Sequence, residues 1–273
     1  MNRTHFNFVS VSNDTSMRIM NMVNRTQNGR IKIVYSLESI YKINKTTCEV
    51  LNKEEGFKEF VDTINKVKDH PLLIAYSIAD EMRYCFNQHI RNGTLTIHDL
   101  DPNHPSFIVI NDTNDIEPLM NATDIVGTDK YPIGNHYYPF RYSFELHNSA
   151  YKSIIKSKPL WPIIQIFDWY IYRKDIYQVH PPTLQEMKSM SWQGFVAGAK
   201  GMKFYSLYEI KKMNESGDTP FEPRWKDVIE FTDEIWKYKD MILSVEEVHN
   251  IEYKENINVS FRQWKYNEYN YIC

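Results

Sequence analysis

The segment Leu72-Leu73-Ile74-Ala75-Tyr76-Ser77-Ile78-Ala79-Asp80-Glu81 constrains the fold more than any other, because an apolar run of strand length stops there at two carboxylates. A strand that is apolar on both faces is buried on both, and such strands belong to parallel sheets covered by helices. Acids at the carboxyl end of such a strand stand where barrel enzymes carry their chemistry, which makes Glu81 the first catalytic candidate.

Strand and helix signals alternate along the rest of the chain, a pattern that predicts right-handed βα units around a parallel sheet. Residues 6–12 read as a strand, 16–26 as a helix stopped near Gly29, and 31–37 as the next strand. Asn52 is placed to cap a helix with Glu55 reaching back to it, and Phe57, Phe60, Val61, Ile64 and Val67 recur on one helical face. After 72–79 come a short helix at 84–90 and strands at 106–110, 124–127 and 162–167, with a helix over 143–156 between the last two. Thr183-Leu184-Gln185-Glu186 reads as a capping box for a helix ending near Gly198. The last strand is 201–207, and Trp225, Val228, Ile229 and Trp236 mark a final long helix. Residues 257–264 and 269–272 alternate like a hairpin around Asn267.

Seven strands are one short of a closed eight-stranded barrel, and an open remnant would expose a parallel edge. The expectation is a TIM-type (β/α)8 barrel over residues 1–245 that lacks its first βα unit, with residues 246–273 as the start of an appended β segment. At 273 residues, 42% of them hydrophobic, the chain suffices for one core of that size.

Charge narrows the partners. With 32 Lys and Arg against 35 Asp and Glu, the net charge of -3 gives no basic footprint for nucleic acid or an anionic membrane, and both are discounted. No apolar stretch approaches the roughly 20 residues that span a bilayer. The opening Met1-Asn2-Arg3-Thr4-His5-Phe6 has no signal-peptide core.

Nine Asn-x-Ser/Thr triplets begin at Asn2, Asn13, Asn24, Asn44, Asn92, Asn111, Asn121, Asn214 and Asn258. Their density suits a secreted glycoprotein, and an asparagine-rich composition of the kind AT-biased coding produces suits chance occurrence equally. The compartment stays open. Cys48, Cys85 and Cys273 make an odd count without metal-type spacing. Cys48 and Cys85 follow successive strands, so a disulfide and two free thiols both fit.

Most strands end in groups able to bind polyols or move protons. In order these are Asn13-Asp14, Ser36 with Glu38, Asp80-Glu81, Asn111-Asp112, Asp129-Lys130-Tyr131, Gln165 with Asp168-Trp169, and Tyr205-Ser206 with Glu209. Loop starts are commonly polar, so any one of them has a bland reading that the set as a whole does not share.

The segments Tyr76 to Glu81, Val126-Gly127-Thr128-Asp129-Lys130-Tyr131-Pro132, Gln165-Ile166-Phe167-Asp168-Trp169 and 198–206 resemble (β/α)8 barrels of the clan A glycoside hydrolase type, notably largely uncharacterised members. The resemblance covers most of residues 1–245. It implies an acid/base glutamate at the end of the fourth strand, which matches Glu81 once a missing first strand is counted. It also implies a nucleophilic glutamate at the end of the seventh, and here the sequence departs, because strand 162–167 offers only Gln165. An amide forms no glycosyl ester. Asp168 is the replacement expected to act as second carboxylate, with Asp129 and Glu209 as alternatives.

The resulting expectation is cleavage of a glycosidic bond with Glu81 and Asp168 as the catalytic pair. Asp80, Asp129, Tyr131, Gln165, Trp169, Tyr205 and Glu209 are the candidate substrate-binding residues, and Tyr208 is a further aromatic platform. No cofactor or metal is implied. The partner is a carbohydrate. The main rival is a carbohydrate-binding barrel without hydrolytic activity, motivated by the absent glutamate. A metal-assisted site on Asp80, Glu81 and Asp129 is a third reading.

Overall fold

A computed structural model describes residues 5–11, 18, 20–21, 24, 30–134, 141–154, 158–174, 180–246 and 260–273. Its contacts divide into two units, one of Phe6–Gly127 with Ser153–Lys158 and one built mainly from Thr128–Lys152 and Pro159–Cys273.

In the first unit, strands β1 (Phe8–Val11), β2 (Lys32–Ser36), β5 (Leu73–Asp80) and β6 (Ser106–Ile110) lie side by side in chain order, and each successive pair is parallel. A short antiparallel pair, β3 (Ile43–Asn44) and β4 (Glu49–Val50), is inserted between β2 and helix α1 (Lys53–Val67). Sequence patterning did not show it. β5 is followed by a 3-10 turn at Tyr84–Phe86 and then α2 (Asn87–Leu100), longer than the expected helix at 84–90. The further helix α3 (Thr113–Leu119) follows β6, capped by Asp112, which accepts from the Asn114 N–H. Ile33, Tyr35, Leu37, Phe60, Ile64, Val67, Leu72 and Tyr76 form the core of this unit. Phe57, expected on the buried face of α1, is 52% exposed.

Asn52 precedes α1 but does not cap it. Its amide oxygen accepts from the Lys42 N–H at 2.7 Å and its nitrogen donates to the Ile40 carbonyl at 2.9 Å, so the side chain braces the segment entering β3. A disulfide joins Cys48, in the β3–β4 turn, to Cys85, four residues past Glu81.

Strand β7 (Ile125–Asp129) is divided between the units at Gly127 and Thr128, and the second unit continues with β8 (Leu160–Gln165) and β9 (Lys203–Tyr205), a parallel pair. Its helices are α4 (Tyr142–Ile154), whose last two residues fall in the first unit, α5 (Leu184–Ala197), α6 (Leu207–Glu215), α7 (Phe221–Lys237) and α8 (Lys239–Leu243). The capping box of α5 forms as read from the sequence, with Thr183 and Glu186 each bonding the other's backbone N–H, and Gly198 ends the helix at a φ of 112°. Strands β10 (Gln263–Tyr266) and β11 (Tyr269–Ile272) form the expected hairpin, and Asn267 and Glu268 both take left-handed φ values, as a tight two-residue turn demands. Trp264 from β10 packs with Phe195, Ala199, Met241 and Ile242.

The expected helix at 16–26 and the Asn13-Asp14 strand end lie largely or wholly outside the described residues. Among the described residues, no helix is long and apolar enough to cross a membrane.

Candidate active site

At the carboxyl end of β5 the backbone departs from regular strand geometry. The β5–β6 register shifts between Ser77 and Ala79, Asp80 pairs with Val109, and the Glu81 N–H donates to the Val109 carbonyl at 3.0 Å. Glu81 itself has a φ of 48°. A side chain with a Cβ is seldom found there, and such outliers gather where function demands a particular side-chain direction. Lys45, in the β3–β4 turn, reaches the Glu81 carbonyl with its Nζ at 3.4 Å, and the disulfide fixes that turn to the segment that follows Glu81. The Glu81 side chain is half-buried, whereas Asp80 is exposed.

A second carboxylate stands at the end of β2. Glu38 Oε1 accepts from the Ser77 Oγ, and the Glu38 N–H donates to Ser36 Oγ at 3.4 Å. The sequence flagged Glu38 only as a polar strand end; its link to Ser77 crosses from β2 to β5.

The strand ends of the second unit are built around Phe167, which is 1% exposed. Tyr131, Trp169, Tyr172 and Tyr205 present themselves to it edge-on, with ring centroids 5.1 to 5.5 Å away. Tyr131 and Tyr205 also stack on each other at 5.5 Å. Edge-to-face contact suits the quadrupoles of the rings, so the cluster is self-supporting. The Trp169 indole N–H donates to the Tyr131 carbonyl at 3.0 Å. Tyr208 lies outside the cluster and is 68% exposed.

Gln165 is fully buried. Its amide oxygen accepts from the Ile133 N–H, and its nitrogen donates to the Ile133 and Phe167 carbonyls. The side chain is thus occupied with holding the backbone after Tyr131.

Two further carboxylates differ in their commitments. Asp168 is buried, and one of its oxygens caps the 3-10 turn at Trp169–Ile171 by accepting from the Tyr170 N–H at 3.0 Å. Its charge opposes the effect of burial on Arg224, whose guanidinium donates to the Ile166 carbonyl and is held below its ordinary pKa chiefly by desolvation. Glu209, in the first turn of α6, is 5% exposed, and its Oε1 accepts from the Tyr172 hydroxyl at 2.8 Å. The Glu209 Oε2 has no hydrogen-bond partner among the described residues. The hydroxyls of Tyr172 and Tyr205 lie 3.1 Å apart. Burial, then the bonds to Tyr205 and Glu209, push the Tyr172 phenol well above its ordinary pKa. Asp129, at the end of β7, is buried as well.

Phe167 and Tyr172 are the site residues that sequence reading passed over. Their signal was the aromatic run Phe167-Asp168-Trp169-Tyr170-Ile171-Tyr172, dense in rings just past a strand end. Among the described residues, no group of three His, Cys, Asp or Glu is arranged to hold a metal ion.

No family model matches the chain, and no curated protein matches it in sequence. Solved structures do. The likeness is one of fold. A β-galactosidase from the psychrophilic Marinomonas ef1 aligns over 72% of this chain and 49% of its own length, with a TM-score of 0.55 and 9% identity. A glycoside hydrolase family 5 mannosidase from Rhizomucor miehei aligns over 83% of this chain and 77% of its own, with a TM-score of 0.53 and 12% identity. A β-glucuronidase from an uncultured Clostridium sp. aligns over 72% of this chain at a TM-score of 0.49 and 14% identity, and the chain spans 37% of that protein's length. The two likenesses with TM-scores of 0.55 and 0.53 show that the chain has a glycoside-hydrolase-like α/β fold.

Proposed function

We propose that this chain cleaves a glycosidic bond by carboxylate catalysis, with Glu81 as general acid and base. The observation that carries the proposal is the left-handed backbone of Glu81 at the carboxyl end of β5, fastened by the Val109 and Lys45 contacts. A carboxyl group in that role must hold a proton for the leaving oxygen while a second carboxylate stays ionised. For the second role the candidates are Asp168, as expected from the sequence, and Glu209. One Asp168 oxygen is spent on a helix cap, whereas Glu209 accepts from a phenol and keeps one oxygen without a protein partner among the described residues. Asp80, Asp129, Tyr131, Trp169 and Tyr205 are proposed to orient the sugar, and Gln165 to act indirectly through the segment it holds.

A single test addresses the claim: hydrolysis of aryl glycosides, beginning with the β-galactoside and mannoside that the similar structures' names suggest, by the parent chain and by Glu81→Gln. Loss of turnover with unchanged circular dichroism supports the assignment. Full activity in Glu81→Gln would refute it.

The rival reading, a carbohydrate-binding barrel without turnover, draws on Gln165, since the strand that ends there supplies an amide in place of a carboxylate. It predicts sugar affinity equal in parent and Glu81→Gln, with hydrolysis in neither.

A further inference from the structure

We propose that this chain is an N-linked glycoprotein carrying glycans at Asn44, Asn111 and Asn214. The inference is independent of the hydrolytic reading. It begins with a count. The chain has 23 asparagines, and serine and threonine make up 31 of its 273 residues, so random placement would give about three Asn-x-Ser/Thr triplets; nine are present. An asparagine-rich composition is already included in that estimate and does not account for the excess.

The structure then separates the triplets. At Asn92 and Asn121 the third residue serves the core. Thr94 donates to the Ala122 carbonyl and pairs with the Ser106 hydroxyl, and Thr123 shares Ser106 and donates to the Ile125 carbonyl, both threonines being buried. Those two triplets have a structural reason to exist. Removing them leaves seven, still more than twice the chance number.

At Asn44, Asn111 and Asn214 neither partner is buried, and Thr46, Thr113 and Ser216 are exposed. The amide oxygen does whatever structural work there is. Asn44 Oδ1 accepts from the Thr46 and Thr47 N–H groups, and Asn214 Oδ1 accepts from the Phe221 N–H. The Nδ2 nitrogen of all three, the atom that a glycan takes, makes no hydrogen bond among the described residues. Three asparagines outside the triplets spend that atom on the fold. Asn52 donates through Nδ2 to the Ile40 carbonyl, Asn87 to the Pro118 carbonyl and Asn114 to Asp112.

The Cys48–Cys85 disulfide is a second and separate pointer, because such bonds persist in the oxidising compartments where this modification is made. The co-substrate is a lipid-diphosphate-linked oligosaccharide. Nδ2 attacks its anomeric carbon, the N–C bond forms as the C–O bond to diphosphate breaks, the lipid diphosphate leaves with the bonding pair, and the amide gives up one proton.

The test is to purify the full chain from the cells that make it, release N-glycans with a peptide N-glycosidase in heavy-oxygen water, and map the peptides by mass spectrometry. The expected result is heavy-oxygen aspartate at positions 44, 111 and 214 and unchanged asparagine at 52, 87 and 114. Recovery of the three triplet positions as plain asparagine overturns the proposal. So does equal labelling at the control positions, which would mean spontaneous deamidation.

Discussion

Gln165 and Ile133 are joined by two hydrogen bonds of 2.9 Å, the amide oxygen accepting from the Ile133 N–H and the amide nitrogen donating to the Ile133 carbonyl. With the third bond to the Phe167 carbonyl, every polar atom of this fully buried side chain engages backbone. Gln165→Glu would remove the donor from two buried carbonyls and set an acceptor against them. Expected is a loss of about 3 kcal/mol, read as a lower urea midpoint, with no gain in hydrolysis. An unchanged midpoint would show that the amide is dispensable to the fold.

Burial lowers the pKa of His147, on α4, from 6.5 to about 3, and its Nδ1 pairs with the Thr128 hydroxyl at 2.7 Å. The folded state refuses a proton that the unfolded chain accepts below pH 6.5. The stability is therefore complete above that pH and declines as the pH falls toward 3. At pH 5 the decline amounts to about 2 kcal/mol at ~1.4 kcal/mol per pH unit. Chemical denaturation at pH 7 and pH 5 should show it, and His147→Gln should flatten the difference. A parent protein equally stable at both values would contradict the buried neutral imidazole.

Tyr172 offers the opposite limb. Half of the residue meets solvent, yet its hydroxyl is turned onto Glu209 and Tyr205, and burial, then the bonds to Tyr205 and Glu209, raise the phenol above its ordinary value near 10. Above pH 10 the unfolded phenol ionises while the folded one keeps its proton, so this contribution, full below pH 10, is lost as the pH rises further. Ultraviolet titration of the parent minus Tyr172→Phe should show one tyrosine ionising late. Glu209→Gln should bring it back toward the ordinary range, and a late tyrosine that ignores Glu209→Gln would break the link between the two.

The Cys48–Cys85 bond closes a loop with a sequence separation of 37 and ties the β3–β4 turn beside Glu81. Cys48→Ser with Cys85→Ser is expected to cost about 3 kcal/mol, read as a lower melting temperature, and reductant should lower the parent's melting temperature toward that of the variant. Insensitivity to reductant in the parent would show that the thiols are not paired.

Much of the fold could be read from the chain because its signals are local. Apolar runs bounded by turn residues marked strands β1, β2, β5, β6, β7, β8 and β9 to within a few residues, and the Thr183–Glu186 box and the Asn267 turn formed as read. What escaped depends on distant backbone. The β3–β4 pair has two residues per strand and is held by a disulfide to a segment 37 positions away, so no periodicity announces it. Asn52 had the chemistry of a cap, but the Ile40 carbonyl and the Lys42 N–H compete for it. At the candidate site the residue types at the strand ends were legible, and their commitments were not. Nothing near Gln165 in sequence tells that its partner is Ile133, 32 residues earlier, and nothing near Glu209 tells that it turns to Tyr172.

The most direct test of the central claim is the leaving-group dependence of aryl glycoside hydrolysis by Glu81→Gln relative to the parent. If Glu81 donates the proton, the variant should lose about a thousandfold in turnover on a substrate with a poorly acidic phenol and far less on one whose phenol leaves without help. Equal turnover of parent and variant on both substrates would contradict the assignment of Glu81 and, with it, the proposed chemistry.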